Sequence, residues 1–147
     1  MKRVYMDHSA TTPVDPIVFQ KMGLYLTEEY GNPSSIHQMG QIARNAVEKA
    51  REQVAQLINA NVEEIIFTSG GTEADNMAIM GFLEALPHKG QNIITSAVEH
   101  HAILDTFNYL GRHGYDVTIL PVNRYGMVEP ETLERALKPN TVLVSIM

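Results

Sequence analysis

The sequence predicts an α/β fold, a three-layer arrangement in which a mainly parallel sheet lies between flanking helices. Short β-branched stretches alternate with helical stretches from about residue 64 to the end of the chain. Strands joined in this way by helices are typical of parallel pairing with crossover connections. With 147 residues, of which 44% are hydrophobic, the chain is long and apolar enough to bury the core of one ordinary domain.

The first 58 residues predict one short strand and two helices. The strand is expected at residues 4–6. A helix should begin at Asp15-Pro16, because aspartate caps helices and proline is tolerated in the first turn, and should run to about residue 29. A second helix, capped by Ser34 or Ser35, is indicated by apolar residues at three- and four-residue steps: Ala43, Ala46, Val47, Ala50, Val54, Leu57 and Ile58.

The remainder of the chain alternates between the two patterns. Strands are predicted at residues 64–68, 92–96, 116–122 and 141–146. Helices are predicted at residues 73–86, 102–110 and 130–137.

Composition narrows the classes of function. The net charge of −6 and the pI of about 5.4 disfavour binding to a nucleic-acid backbone. The chain has no cysteine, which excludes a disulfide, a thiolate metal site and a thiol nucleophile within these residues. Neither a signal peptide nor an apolar run of membrane-spanning length is visible, so we expect a soluble, cytoplasmic protein without a membrane partner.

The stretch "TSGGTEADN" lies where a predicted strand ends and a helix begins. Gly70 and Gly71 allow the backbone to turn sharply and to approach a ligand closely. Thr72 adds a hydroxyl, and the amides of a helix N-terminus favour an anion, above all a phosphate. The alternative, a plain turn in which the glycines serve only the geometry, is equally compatible with this spacing.

The stretch "SAVEHHAIL" follows the next predicted strand, so its loop belongs to the same carboxyl edge of the sheet. An imidazole at that place can stack on a flat ligand or move protons. Adjacent histidines usually point in different directions, so we expect one of His100 and His101 to face a site and interpret His101 as a surface residue. His8, His37, His100 and His101 have no recognisable ligand spacing, and we predict no metal site.

The last stretch, "VLVSIM", predicts a strand that no further helix covers, which leaves an edge and apolar surface open. We therefore expect the chain to be part of a longer polypeptide or a truncated product of one.

Five motifs together resemble the NifS/IscS-type cysteine desulfurases, which are class V members of the pyridoxal-phosphate aminotransferase superfamily. The motifs occur in the family's order along the whole chain: "VYMDHSATTPVDP", "YGNPSSIH", "EIIFTSGGTEADNMAI", "AVEHHAIL" and "NTVLVSIM".

The resemblance implies roles for particular residues. Gly71 and Thr72 would bind the phosphate of pyridoxal 5′-phosphate, and His100 would stack on its ring and assist proton transfers. The "ATT" loop, Ala10, Thr11 and Thr12, would lie near the substrate.

The resemblance also implies a domain organisation. Residues 1–15 would join the small domain of the complete enzyme, and residues 16–147 would form an incomplete cofactor-binding large domain.

The reaction implied by the resemblance converts L-cysteine to L-alanine and leaves the sulfur as a persulfide on the enzyme, for delivery to an iron–sulfur scaffold or another sulfur-acceptor protein. The enzymes of this family are homodimers. The family's cofactor-binding lysine and nucleophilic cysteine would lie beyond Met147, so the chain alone is expected to be inactive. Two alternatives stay open: another class V enzyme, such as a selenocysteine lyase or an aminotransferase, and a non-catalytic, truncated interaction subunit.

Overall fold

A computed structural model describes residues 3–86 and 90–147, and the chain divides into two units, Met1–Ile66 and Phe67–Met147. The first unit begins its regular structure at α1 (Pro16–Thr27). The Asp15 carboxylate accepts a hydrogen bond from the backbone N–H of Ile17 at 2.7 Å, which confirms the predicted helix start. The helix ends two residues before the predicted end.

The second helix of this unit, α2 (Gln38–Ile58), is capped by His37 and not by either predicted serine. The serines belong to a turn instead, in which the N–H of Ser35 donates to the carbonyl of Asn32 at 2.9 Å. This turn lies against the start of α2 so closely that a Cβ at Gly40 would collide with carbonyl oxygens of Asn32 and Ser35. The turn therefore takes the serines out of reach of the helix, and the Nδ1 atom of His37 accepts from the N–H of Gly40.

Two predicted strands, at residues 4–6 and 64–68, are wrong. The sheet of the described residues has three strands, and neither stretch is among them. Ile65 has extended backbone angles, but its carbonyl accepts a hydrogen bond from the Arg51 guanidinium. A β-branched stretch becomes a strand only where a neighbouring strand pairs with its backbone, and local sequence cannot report that neighbour.

The second unit contains the sheet, and it confirms the predicted fold class of a parallel sheet flanked by helices. The strand order is β2–β1–β3, with both pairs parallel. The strands are β1 (Asn92–Ser96), β2 (Asp116–Leu120) and β3 (Thr141–Ser145). The helices are α3 (Gly71–Glu84), α4 (His101–Arg112) and α5 (Pro130–Ala136).

The strands are held together at their amino ends by the fully buried side chain of Asn92. Its Nδ2 donates to the carbonyl of Asp116 at 2.8 Å and approaches the hydroxyl of Thr118 at 2.9 Å. Its Oδ1 accepts from the hydroxyl of Thr141 at 2.7 Å. One amide thus links all three strands, which offsets the cost of burying it.

The core of this unit lies where α3 and α4 pack on β1. It consists of six buried apolar side chains: Ile79, Leu83, Ile93, Ile103, Phe107 and Leu110. Burying each large side chain of this kind contributes roughly 1.5–3 kcal/mol. This packing places the first turns of α3 and α4 beside each other.

Within residues 3–86 and 90–147, every helix is too short or too polar to cross a membrane.

Candidate functional site

The carboxyl edge of the sheet lies at Ser96, Leu120 and Ser145, where the three parallel strands end. The loop after β1 leads directly into α4, so His100 lies at this edge as the N-cap of that helix. Open parallel sheets bind their ligands at this edge, because the loops and helix N-termini collect there.

The first turn of α3 is an uncapped helix N-terminus. Its N-cap residue, Gly70, offers no side chain to the amides that follow, and the first backbone bond of the helix runs from Ala74 N–H to the Gly70 carbonyl at 3.1 Å. The preceding amides, those of Gly71, Thr72 and Glu73, therefore have no partner within the helix. They form a cluster of donors at the positive end of the helix dipole.

The two glycines of this turn are not required by backbone geometry. Gly70 has extended backbone angles (φ 170°, ψ 178°), and Gly71 is already helical, so neither lies in the left-handed region that favours glycine. Apart from its chain neighbours and the adjoining helix backbone, a Cβ atom at either residue would meet no atom of the described residues within 4 Å. Local geometry and packing thus leave these glycines unexplained, whereas a ligand approaching the bare backbone explains both.

The carboxylate of Glu73 is directed back towards Ser69. It accepts from the Ser69 hydroxyl at 2.7 Å and from the Ser69 backbone N–H at 2.6 Å. These two hydrogen bonds lower the pKa of Glu73 below its ordinary value. The two hydrogen bonds therefore hold the Glu73 carboxylate against the turn that precedes the helix, and they restrain that turn.

His100 accepts a hydrogen bond at Nδ1 from the backbone N–H of Ala102, at 3.1 Å. An accepting Nδ1 carries no hydrogen, so the proton of the neutral ring lies on Nε2. The ring is exposed at the carboxyl edge. Its Nε2 is the atom that could exchange a proton with a ligand there.

A cleft of about 400 Å³ runs between α3 and α4. Thr72 and His101 both line it, together with Asn76 and Thr106. His101 lies beside the first turn of α3 and is exposed, in agreement with its interpretation as a surface residue. The expectation that His100 is the imidazole that contacts a ligand ring stays a prediction.

Glu99 is a residue that the sequence did not single out. It is 9% exposed, and its Oε1 accepts from the Ser96 hydroxyl at 2.7 Å and from the backbone N–H of Met147 at 2.6 Å. It therefore links the ends of β1 and β3 directly beside His100. The only signal in the sequence is an acidic residue between a buried strand and a histidine, and that signal does not identify its partners.

The remaining predicted site residues lie in the first unit. Ala10, Thr11 and Thr12 are exposed, the N–H of Ala10 donates to the Asp7 carbonyl at 3.1 Å, and the Thr11 hydroxyl lies 2.7 Å from the Tyr5 hydroxyl. Gly71, Thr72 and His100 all belong to the second unit. The substrate contact predicted for the first unit stays a prediction.

No group of three or more histidine or acidic side chains among residues 3–86 and 90–147 is arranged to hold a metal ion.

The parallel sheet and the helix N-terminus beside its carboxyl edge define an α/β domain of the kind that binds ligands at this edge, and comparison with known proteins names its class. Residues 4–147 match the aminotransferase class-V family, so the chain belongs to that family. Pyridoxal 5′-phosphate is the cofactor of these enzymes.

The relatives of this chain include cysteine desulfurases. The cysteine desulfurase IscS of Dictyoglomus turgidum is 53% identical over 148 residues, which cover 100% of this chain and 38% of that protein. The solved structure of a NifS-like protein has a TM-score of 0.92 and 42% identity, and the match covers 99% of this chain and 40% of that one. A structure of SspA in complex with cysteine has a TM-score of 0.88 and 36% identity over 97% of this chain and 41% of the other. The chain thus spans about two fifths of the length of these relatives.

The residues at the carboxyl edge fit the phosphate of this cofactor. The amides at the start of α3, which have no partner within the helix, supply hydrogen-bond donors, and the open space beside Gly70 and Gly71 admits the phosphate oxygens. The hydroxyl of Thr72 lies in the same turn and can donate one more hydrogen bond.

Proposed function

We propose that the chain is the amino-terminal portion of a cysteine desulfurase, in which it supplies the phosphate-binding turn of the pyridoxal 5′-phosphate site. The observation that carries this proposal is the pair of glycines at an uncapped helix N-terminus, which neither backbone angles nor packing require. The similarity to IscS proteins and to a structure that contains cysteine supports L-cysteine as the substrate.

The phosphate would be held by Gly71 and Thr72. Their backbone N–H groups and the Thr72 hydroxyl donate hydrogen bonds to phosphate oxygens, and the dipole of α3 adds a favourable field. The Glu73 carboxylate does not compete with the phosphate for these donors, because Ser69 already binds it.

His100 would contact the cofactor ring and move a proton. The bond from Ala102 N–H to Nδ1 orients the imidazole and leaves the proton at Nε2, which can be given to or taken from the substrate. The bound cofactor would serve as an electron sink for the substrate's α-carbon.

The sulfur-accepting thiol must come from another segment, since this chain contains no cysteine. In the reaction, the carbon–sulfur bond of L-cysteine breaks, the sulfur joins that thiolate as a persulfide, and the remaining carbon takes up a proton to give L-alanine. The cofactor-binding lysine is likewise expected outside these residues.

Further parts of the proposal rest on the family resemblance. They are a cytoplasmic homodimer, an iron–sulfur scaffold or another sulfur-acceptor protein as its partner, and a substrate contact by Ala10, Thr11 and Thr12. The assignment of residues 1–15 to the small domain of the complete enzyme belongs here as well.

The test is an assay of the full-length gene product with pyridoxal 5′-phosphate, L-cysteine and a thiol reductant. We expect equal amounts of alanine and sulfide. Selenide release from L-selenocysteine without activity on L-cysteine would indicate a selenocysteine lyase, and amino transfer to a keto acid an aminotransferase. A full-length product that binds no cofactor would reject the proposal and favour a non-catalytic subunit.

A further inference from the structure

Asn76 and Thr106 form a polar pair between α3 and α4, beside the apolar core. Asn76 is half-buried on α3, one turn after Thr72. Thr106 is 7% exposed and lies on α4, between the core residues Ile103 and Phe107. Neither asparagine nor threonine favours a helix interior, and two apolar residues would satisfy the packing.

The pair belongs to a chain of hydrogen bonds between the two predicted cofactor-site residues. Asn76 Nδ2 donates to the backbone carbonyl of Thr72 at 2.8 Å, and Asn76 Oδ1 lies 2.6 Å from the hydroxyl of Thr106. The same hydroxyl lies 2.8 Å from the carbonyl of Ala102. The N–H of Ala102 in turn donates to His100 Nδ1 at 3.1 Å.

The direction of these bonds follows from their chemistry. A backbone carbonyl can only accept, so the amide nitrogen of Asn76 must face Thr72 and its oxygen must face Thr106. The single hydroxyl proton of Thr106 is then shared between Asn76 Oδ1 and the Ala102 carbonyl, which are both acceptors. The orientation of the Asn76 amide is therefore fixed, and the Thr106 hydroxyl lies within hydrogen-bond distance of acceptors on both helices.

We propose that Asn76 and Thr106 are positioning residues, which set the distance between the phosphate-binding turn at Thr72 and the imidazole of His100. Apolar packing lets two helices slide by fractions of an ångström, whereas short hydrogen bonds have a defined length and direction. A cofactor held at its phosphate and at its ring needs both contacts in place within about 0.5 Å. This inference rests on the proposed function, because it assigns a role within the same cofactor site.

The experiment uses the full-length protein and variants of the pair. Thr106→Val keeps the shape and removes the hydroxyl, and Thr106→Ser restores the hydroxyl. Asn76→Asp keeps the acceptor for Thr106 and removes the donor to Thr72, and it provides a second route if Thr106→Val does not fold. The matched control is Ile79→Val, which removes one methylene group from the same helix interface.

Three quantities are measured for each variant: the Kd of pyridoxal 5′-phosphate for the apoenzyme, the Tm of the apoenzyme, and kcat and KM for L-cysteine. We expect Thr106→Val and Asn76→Asp to raise the cofactor Kd roughly two- to twelvefold and to lower kcat/KM. Thr106→Ser should retain the wild-type Kd, and Ile79→Val should lower Tm and leave the Kd unchanged.

The inference is overturned if Thr106→Val or Asn76→Asp lowers Tm as Ile79→Val does and leaves the cofactor Kd at the wild-type value. It is also overturned if Thr106→Ser binds the cofactor as weakly as Thr106→Val. A wild-type protein that fails to bind the cofactor is a different result, because it removes the proposed function and this inference together.

Discussion

Replacing Thr72 by valine tests the phosphate assignment most directly. Valine keeps the β-branched shape of threonine and removes only the hydroxyl. Among residues 3–86 and 90–147 that hydroxyl has no hydrogen-bond partner, so its loss leaves no protein group unpaired. The free energy of unfolding should therefore change by no more than about 0.5 kcal/mol, as for other surface substitutions.

The effect on the cofactor should be much larger. A hydrogen bond to a charged group contributes about 1.5–3 kcal/mol, and its loss corresponds to a roughly 10- to 150-fold higher Kd. The N–H groups at the start of α3 are unchanged in the variant, so binding should weaken without disappearing.

The assay is titration of the full-length apoenzyme with pyridoxal 5′-phosphate, followed by absorbance. Thr132→Val serves as the matched control, because Thr132 lies in the first turn of another helix, α5, where its hydroxyl accepts a hydrogen bond from Arg135 at 3.3 Å. An equal Kd for wild type, Thr72→Val and Thr132→Val would refute the phosphate assignment. A second titration, with pyridoxal lacking the phosphate, should show no difference between Thr72→Val and wild type.

Three further predictions concern single residues. In the full-length enzyme, His100→Ala should lower kcat for L-cysteine more than His101→Ala does, because His100 is the residue proposed to exchange a proton; equal losses would contradict this. Hydrogen bonds from Ser69 lower the pKa of Glu73 in the folded protein. These bonds contribute their full stabilisation above the ordinary glutamate pKa of about 4.3, and the stabilisation is lost as the pH falls through the lower pKa of the folded state. Urea unfolding between pH 2 and 6 should therefore show a smaller decrease in stability towards acid for Glu73→Gln, and parallel curves would contradict this. Phe107→Ala removes a fully buried ring from the core and should lower the free energy of unfolding by about 3–5 kcal/mol. Chemical denaturation measures this change, and a loss below about 1 kcal/mol would show that Phe107 does not lie in the core.

The elements that the sequence predicted well depend on interactions between near neighbours. The start of α1 is an example, because Asp15 caps an amide only two residues away. The helix α2 follows from apolar spacing of three and four residues within a single segment. The cap of α2 was predicted wrongly, since the turn formed by Asn32 and Ser35 competes for the same serines.

The strands show that the local sequence does not determine which extended segments join the sheet. Residues 92–96 and 64–68 have similar β-branched patterns, but only the first stretch pairs with neighbours in the described sheet. Pairing depends on partners far along the chain, such as the contact of Asn92 with Asp116, which are 24 residues apart. Propensity indicates an extended backbone, and tertiary context decides whether it becomes a strand.

The amino-acid sequence by itself determined the α/β class, the glycine turn as a candidate anion site and the resemblance to cysteine desulfurases, because each depends only on residue types and their order along the chain. Only the tertiary structure shows that neither backbone angles nor packing require glycine at residues 70 and 71. It also decided that Glu99 links two strand ends and that Asn76 contacts Thr106, 30 residues further along the chain. The physical reason is that hydrogen-bond partners and open space are properties of neighbours in three dimensions, and the packing of α3 and α4 on β1 sets those neighbours.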